Sequence, residues 1–417
     1  MTRRYFTART NFFGDTNPER LLGKYGSPLY VYNEAILRQR CRDMKNLVPI
    51  EGFVADYSIK ANSNLHILRI VREEGLEADA MSPGEIHVLL AAGFSPDQIL
   101  FVCNNVSVEE MAFARERSIT VSVDSLMQLE AYGKAFPGSK VAVRFNTGYG
   151  AGHHEKVVTA GKKTKFGIND DKADQVVALL KKYNLQLCGI NQHIGSLFME
   201  ESAYVASCEA LLGLAMRFDS LEFVDMGGGF GIPYRKQDGE RSLDLAPFAE
   251  RLGEAIVNFK AGYGNRKMKF KTEPGRYVVA ESSVLLGTVH SIKENNDITY
   301  VGTDLGFNVL QRPVMYDSHH DIEVYRGGAL TDEGRRTVTV VGNICESGDK
   351  LAQERTLPEI QQGDILGVMD AGAYGYSMSS NYNNRLRPAE VLIGLDGSER
   401  LIRRRDTLED MLKPFEV

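Results

Sequence analysis

Residues 221–231 read LEFVDMGGGFG, a short apolar run that ends in four glycines within five positions. The apolar run predicts a buried strand, and the glycines leave the backbone of the following turn open to close approach by other groups. Short runs of this kind recur from about residue 53 to about residue 276, with amphipathic stretches of helical spacing between them. The repeat therefore predicts strands that alternate with helices, which is typical of a parallel sheet.

Eight strand candidates lie in this part of the chain. They are Tyr57–Lys60, Ala78–Ser82, Ile99–Cys103, Thr120–Val123, Val141–Phe145, Leu187–Gln192, Leu221–Met226 and Met268–Thr272. Eight such units favour an α/β fold built on a (β/α)8 TIM-like barrel, which typically takes about 250 residues. A doubly wound open sheet would show the same alternation, so the periodicity alone leaves that alternative open.

From about residue 283 the sequence changes to short β-branched runs separated by Gly, Asn and Asp, which predicts a C-terminal all-β domain. The run Ser27–Tyr32 is a further strand candidate that the barrel does not need, and we expect it to join that domain. The predicted organisation is a segment 1–34 with this strand, a barrel over 35–282 and a β domain over 283–417.

Composition excludes several classes of protein. Lys and Arg total 49 against 55 for Asp and Glu, a net charge of −6 that offers no basic surface for nucleic acid. No apolar run approaches the length of a membrane helix, and the polar start lacks a secretory signal. Five cysteines without a C-x-x-C pair fit a reducing compartment. We therefore expect a cytoplasmic protein that binds neither nucleic acid nor membranes.

Three features at predicted strand ends point to chemistry. Lys60 closes an apolar strand, where an ammonium is costly unless it is paired or neutral, so it is either a snorkelling side chain or a Schiff-base lysine. The glycines of 227–231 match neither dinucleotide nor P-loop spacing and favour a phosphate site over a merely flexible loop. Glu273, beside Gly275 and Arg276, is either half of a structural ion pair or a group that keeps a pyridine nitrogen protonated.

The histidines are less informative. His193 follows the sixth strand candidate, a position where a structural role is more common than a catalytic one. The adjacent pairs His153–His154 and His319–His320 lack the i, i+4 spacing of a helical zinc site, so we expect no metal.

Several segments together resemble a known family. The alanine-racemase-like barrel class of pyridoxal-phosphate enzymes has motifs similar, in order and spacing, to 57–62, 193–196, 227–232 and 273–276. The diaminopimelate decarboxylase family resembles the chain further at 148–168, 312–316, 345–349 and 370–383. The resemblance covers nearly the whole chain. It implies a pyridoxal 5'-phosphate cofactor and the decarboxylation of meso-2,6-diaminopimelate to L-lysine and CO2, the last step of lysine biosynthesis.

The resemblance also implies roles for individual residues. Lys60 would bind the cofactor as a Schiff base, His193 would stack on its ring, and Glu273 would pair with its pyridine nitrogen. Further cofactor contacts would come from Asp79, Arg144, Ser196, Gly228, Gly229, Gly275, Arg276 and Tyr374. Substrate contacts would come from Arg276, Arg312, Tyr316, Glu346 and Tyr374. Cys345 would protonate the carbanion. In this family Cys345 and Glu346 come from the partner subunit, which implies a homodimer with shared active sites.

Two alternatives stay open. The same chemistry could act on ornithine, D-lysine or carboxynorspermidine, although the related ornithine enzymes usually carry Asp where Glu346 stands. A non-catalytic cofactor-binding homologue would be expected to lose the lysine, the cysteine or the arginines, and this chain keeps them all. The chain departs from the usual family pattern at Asn343, His319, Leu197 and Leu386.

Overall fold

The computed structural model describes residues 5–148, 151–152, 164–264 and 267–415, which form two compact units. One unit consists of residues 40–232 and 242–278. The other combines the described residues before 40 with 233–241 and with those from 279 onward.

The first unit is a closed barrel. Its eight strands are Phe53–Ser58, Glu77–Ala80, Ile99–Val102, Thr120–Val123, Lys140–Asn146, Gln186–Asn191, Phe223–Asp225 and Lys269–Thr272. Each strand pairs in parallel with the next one along the chain, and the eighth pairs with the first. The predicted (β/α)8 barrel is therefore confirmed, and the open sheet is excluded.

Helices follow the barrel strands. They are Leu65–Glu73, Pro83–Ala92, Val108–Arg115, Leu126–Ala135, Ala173–Lys182, Ser202–Ala215 and Ala246–Tyr263, and Glu34–Lys45 precedes the first strand. Asn64, Ser82, Ser107 and Ser125 cap the first four helices after the strands, and Ser82 accepts a hydrogen bond from the Glu85 amide at 3.2 Å. Gly93 ends the same helix in a left-handed conformation that favours glycine.

The first strand begins and ends earlier than its sequence indicates, at Phe53 and Ser58. Strand pairing ends at Ser58, and Lys60 lies in the 3-10 turn Ile59–Ala61, so the predicted strand Tyr57–Lys60 is wrong for its last two residues. Ser58 is held on both sides, because it pairs with Asp79 of the second strand and its amide donates at 3.2 Å to the carbonyl of Pro274, which follows the eighth strand. The backbone then turns at Ile59–Ala61, so Lys60 lies in the loop that follows the strand.

The second unit is built on a sheet of ten strands. They are Leu29–Asn33, Ser283–Asn295, Ile298–Thr303, Ile322–Arg326, Ala329–Thr331, Arg336–Val341, Lys350–Leu357, Ile365–Val368, Ala389–Ile393 and Glu399–Arg403. Leu29–Asn33 lies between Ser283–Asn295, antiparallel, and Ala389–Ile393, parallel. Short helices at Phe6–Thr10, Pro18–Tyr25, Arg312–Tyr316 and Leu408–Leu412 complete the unit. The predicted all-β domain in the C-terminal part is confirmed.

Residues 233–241 belong to this second unit, although the sequence-based barrel segment 35–282 includes them. Lys236 explains their position, because its ammonium lies 2.7 Å from the buried carboxylate of Asp370 and 3.2 Å from that of Glu281. The amide of Gln237 also donates to Asp321 at 2.9 Å. Buried charges of this kind are stable only when paired, so the segment is held to the β unit.

A buried ion network lies among the barrel strands. The Lys271 ammonium is 2.9 Å from Asp56 and 2.7 Å from Glu77. Burial raises the pKa of Asp56 to about 7, even though Lys271 opposes that shift. Burial also disfavours the charged form of Lys271, but the two carboxylates outweigh it and raise the pKa of this lysine. The stability of the network therefore depends on the lysine remaining in place.

We predict that Lys271→Met lowers the free energy of unfolding by about 3–5 kcal/mol, because it leaves the fully buried Asp56 carboxylate without its cation, whereas Glu77 keeps Lys269 as a partner. The loss should be smaller at pH 5 than at pH 8, since Asp56, with its raised pKa, takes up a proton at the lower pH. Urea unfolding measures both effects.

The matched control is Lys140→Met, because Lys140 and its partner Glu222 are each about half exposed. This substitution should change the free energy of unfolding by less than about 1 kcal/mol. Equal effects of the two substitutions would contradict the assignment of a buried network.

Candidate active site

Five polar residues meet at the carboxyl ends of the barrel strands, and we call them the barrel cluster: Lys60, Asp79, Arg144, His193 and Glu273. Parallel strands bring their carboxyl ends to one face, which is where barrel enzymes place their active sites. Asp79 and Arg144 lie near the ends of the second and fifth strands, and Glu273 directly follows the eighth. Their charges act on one another, so the structure brings together these five predicted site residues.

Glu273 is the acidic centre of the barrel cluster and is only 3% exposed. Burial alone would raise its pKa, but His193, Lys60 and Arg144 together lower it. Among the described residues, its Oε1 atom has no hydrogen-bond partner. A charged carboxylate that keeps one buried oxygen for a further donor is suited to bind an N–H group of a ligand.

His193 is held in a neutral form. Burial lowers its pKa to about 4, against the opposing effect of Glu273. The amide of Gly228 donates to its Nδ1 at 3.2 Å, whereas Glu273 Oε2 lies 3.6 Å from the same atom, beyond hydrogen-bond distance. Near pH 7 the ring is therefore neutral and adds no further positive charge beside Lys60.

Arg144 and Asp79 contribute a buried basic group and a buried acidic group. The Arg144 guanidinium lies 4.7 Å from the centre of the Phe166 ring, and burial lowers its pKa against the effect of Glu273. Its Nη2 atom has no hydrogen-bond partner in the described part of the chain. Burial and the charge of Glu273 raise the pKa of Asp79, although Lys60 opposes them. Asp79 is therefore driven towards its neutral form.

The glycine loop 227–231 packs closely on its neighbours. A Cβ atom on Gly228 would overlap the backbone carbonyl of Glu273, and one on Gly229 would overlap the Phe198 ring. The Gly228 amide, which the resemblance assigns to a phosphate, donates to His193 here. Close packing of backbone is thus sufficient to require glycine at these positions, and the phosphate contacts of Gly228 and Gly229 stay a prediction.

Two predicted phosphate residues do meet across the barrel face. The Arg276 guanidinium donates to the hydroxyl of Ser196 at 2.9 Å. Gly275, which precedes the arginine, packs against Ser58, and a Cβ atom there would lie 3.0 Å from the serine Cβ. The end of the first strand and the segments after the sixth and eighth strands therefore contact one another here.

The second unit holds its own group of predicted site residues on the loop 343–349, which we call the Cys345 loop. Cys345 and Glu346 are both exposed. Asn383 donates to the Cys345 sulfur at 3.2 Å and accepts from its amide at 3.0 Å. Tyr382 donates to the Glu346 carboxylate at 2.6 Å. An acid and a thiol are thus presented side by side by two consecutive residues.

Arg312, Tyr316 and Tyr374 lie elsewhere in the second unit. Arg312 is almost fully buried, donates to His320 Nε2 at 2.8 Å and lies 4.5 Å from the Tyr234 ring centre. Tyr316 ends the same short helix and is partly exposed. Tyr374 has a φ of 56°, which is uncommon for a non-glycine residue and occurs often at functional sites.

Four polar residues of these clusters had no role in the sequence analysis. They are Glu85, Asp225, Tyr382 and Asn383. Asp225 accepts from the Gly227 amide at 2.9 Å, and an acidic residue two positions before the glycine run was the signal for it. Glu85 accepts from the Met81 amide at 2.6 Å. The contacts of Tyr382 and Asn383 span 36 and 38 residues of sequence, so no local pattern indicates them.

Two further findings concern the described residues only. In that part of the chain, no three His, Cys, Asp or Glu side chains are grouped as a metal ion would require. No helix there combines the length and apolar character needed to cross a membrane. His153 and His154 lie outside the described residues, and His319 contacts Arg355 and Asp321.

A comparison with known proteins defines the class. Residues 34–280 match the family of pyridoxal-dependent decarboxylases over its pyridoxal binding domain. This match covers the whole barrel, including every residue of the barrel cluster. The fold and the site thus define a pyridoxal-phosphate-dependent decarboxylase.

The particular family follows from full-length relatives. The chain is 40% identical to the diaminopimelate decarboxylase of Methanothermobacter thermautotrophicus, over 96% of this chain and 94% of that protein. It is 37% identical to that of Escherichia coli K12, over 94% of each chain. The crystal structure of diaminopimelate decarboxylase from Helicobacter pylori complexed with L-lysine matches with a TM-score of 0.86, at 30% identity over 96% of this chain and 99% of that one. The chain belongs to the diaminopimelate decarboxylase family.

The residues present fit the cofactor of this class. The buried Oε1 of Glu273 suits a protonated pyridine nitrogen, and the buried Nη2 of Arg144 is a donor for an anionic oxygen. Lys60, the amine that such a cofactor requires, is close enough for its charge to act on both Asp79 and Glu273.

We predict that Glu273→Gln leaves the cofactor bound but lowers the decarboxylation rate by about 100-fold or more. A neutral amide keeps the size of the side chain but no longer favours the protonated pyridine nitrogen. Cofactor absorbance measures binding, and CO2 release measures turnover.

Glu222→Gln is the control, because this glutamate precedes the seventh strand and its side chain is half exposed. It should leave the rate unchanged. Full activity in Glu273→Gln would remove the glutamate from its assigned role.

Proposed function

We propose that the protein decarboxylates meso-2,6-diaminopimelate to L-lysine and CO2, with Lys60 and Glu273 as the groups that hold pyridoxal phosphate. The observation that carries this proposal is the buried, charged Glu273 with an oxygen that no described residue uses. When bound, the cofactor accepts the electron pair left on the α-carbon as CO2 departs. A carboxylate beside the pyridine nitrogen favours that capacity, whereas the racemase branch of the class carries arginine there.

In this proposal the barrel residues bind and orient the cofactor. Lys60 holds it through its amine, neutral His193 stacks on the ring, and Glu273 keeps a proton on the nitrogen. Arg144 and Asp79 support the ring hydroxyl and the lysine. The phosphate is bound by Ser196, Gly228, Gly229, Gly275, Arg276 and Tyr374.

The substrate end of the site follows from the substrate's own charges. Diaminopimelate carries an ammonium and a carboxylate at its distal end. We assign the ammonium to Glu346 and the carboxylate to Arg276, Arg312 and Tyr316, because charge-assisted hydrogen bonds are the strong ones. Cys345 then donates the proton that replaces the departing carboxyl group on the α-carbon, and thiols titrate at about pH 8.5, close enough to neutrality for that task.

A homodimer with shared sites is part of the proposal. Cys345 and Glu346 are exposed on their own chain, and a proton donor works best where water is excluded. Contact with a second copy of the chain would supply that enclosure. All five cysteines are free thiols, which supports a cytoplasmic location.

The proposal predicts that purified protein turns over meso-diaminopimelate faster than ornithine, D-lysine or carboxynorspermidine. The distal carboxylate and ammonium of meso-diaminopimelate together match the arginines and Glu346, whereas the other substrates carry a distal ammonium but no distal carboxylate. Product analysis over this panel is the measurement. Faster turnover of any other member would overturn the substrate assignment, and cofactor binding without CO2 from any member would indicate a non-catalytic homologue.

A mixing experiment tests the shared site. Lys60→Ala and Cys345→Ala should each be nearly inactive alone. Equal mixing with subunit exchange should restore about a quarter of wild-type activity, because half of the dimers are mixed and each has one intact site of two. Mixing Lys60→Ala with the Lys60→Ala/Cys345→Ala double variant is the control and should restore nothing. No recovery in the first mixture, despite verified exchange, would show that each site is built from one chain.

A further inference from the structure

A short segment, residues 382–385, contacts the Cys345 loop at three places. Asn383 uses both ends of its amide on one residue, accepting from the Cys345 backbone and donating to the Cys345 sulfur. Arg385 donates to the Asn343 carbonyl at 3.0 Å, two residues before the cysteine. Tyr382 binds Glu346, the residue after it. The segment therefore contacts the loop before, at and after the thiol.

The loop and the segment are themselves anchored. The buried Asp349 carboxylate accepts from the amides of Ile344 at 2.8 Å and Phe307 at 2.7 Å. The Phe307 ring stacks on Tyr382, with ring centres 5.6 Å apart and planes at 21°. Asp349 thus connects the base of the Cys345 loop to Phe307, whose ring stacks on Tyr382 of the segment 382–385. Movement of either part would break contacts in both.

Asn383 also needs a particular backbone. Its φ is 55°, in the left-handed region that asparagine tolerates better than most residues. Residue types that avoid this region would strain the chain, so the position restricts the side chain to a few types, among which asparagine can both donate and accept.

We infer that Asn383 is a positioning residue for Cys345. The planar amide fixes the backbone and the sulfur together, and thus the direction in which the thiol points. Its Nδ2 donor also stabilises negative charge on sulfur, which develops as the thiol gives up its proton. This inference rests on the proposed role of Cys345 as proton donor. Tyr382 positions the neighbouring Glu346 through its own hydrogen bond to that carboxylate.

Alkylation by iodoacetamide tests the inference independently of activity. Cys345 is exposed on its own chain and in the proposed dimer faces the substrate site, which the small reagent can enter when no substrate is bound, whereas Cys41, Cys103, Cys188 and Cys208 are buried. The reagent therefore reports on one thiol. The rate is measured against pH on the folded holoenzyme without substrate. Asn383→Asp keeps the acceptor and the backbone preference but replaces the donor by a negative oxygen. Asn383→Gly removes both hydrogen bonds without backbone strain.

For Asn383→Asp we expect the pH midpoint of alkylation to rise by about one unit, because the thiolate loses a donor and gains a like charge. Asn383→Gly should move it in the same direction by less. With meso-diaminopimelate, kcat should fall about tenfold or more in both variants, with little change in KM. Tyr382→Phe is the matched control. It loses only the contact with Glu346, so it should raise KM and leave the alkylation profile unchanged.

An alkylation profile equal to wild type in both Asn383 variants would overturn the inference, as would an equal shift in Tyr382→Phe. A shifted profile together with an active Cys345→Ala protein would separate the two proposals. In that case Asn383 still positions the thiol, but the thiol is not the proton donor.

Discussion

Burial of the Glu273 carboxylate at the end of the eighth barrel strand determines the charge of the residues around it. A buried carboxylate stays ionised only where cations or donors compensate it, and Lys60 and Arg144 supply the positive charge here. Its negative charge adds to burial in raising the pKa of Asp79 and of Asp225. The acidic groups nearest to it are therefore driven towards their neutral forms, and Glu273 remains the ionised acid among them.

This distribution leaves a surplus of positive charge. Lys60 and Arg144 are cationic, Glu273 is anionic, and His193 and Asp79 are held towards neutrality by burial. A phosphate monoester carries about −1.5 to −2 charges near pH 7, so a cluster with net positive charge suits an anionic cofactor. The one negative group is then reserved for the ring nitrogen, the part of the cofactor where positive charge is useful. The same cluster therefore serves both binding and chemistry.

Much of the fold could be predicted from the sequence because its signals are local. Alternating apolar runs and helical stretches indicated the barrel, and the change to β-branched runs after residue 283 indicated the second domain. What the sequence missed depends on contacts between distant residues. Lys236 pairs with Asp370 across 134 residues, and the Ser58 amide bonds to Pro274 at the end of the first strand, so neither contact has a local signature.

The candidate site likewise has features that the sequence indicated and features that depend on contacts between distant residues. The glycine run indicated a phosphate loop, but the structure shows that Gly228 must also approach the Glu273 backbone closely. One residue type thus satisfies two requirements, and the sequence cannot separate them. Asn383 was part of a family segment with no role of its own, because its partner Cys345 lies on another loop.

The two parts of the proposed reaction place opposite demands on the chain. Stabilising a charge requires a rigid buried cluster, whereas delivering a proton across a subunit boundary requires an exposed group. An exposed loop ordinarily loses conformational freedom on assembly, at about 0.5–1.5 kcal/mol for each ordered side chain. Tyr382 and Asn383 already hold Glu346 and Cys345 within the single chain, so part of that ordering precedes assembly. In the proposed dimer the Cys345 loop can then be exposed before association and still hold the Cys345 and Glu346 side chains in fixed positions afterwards.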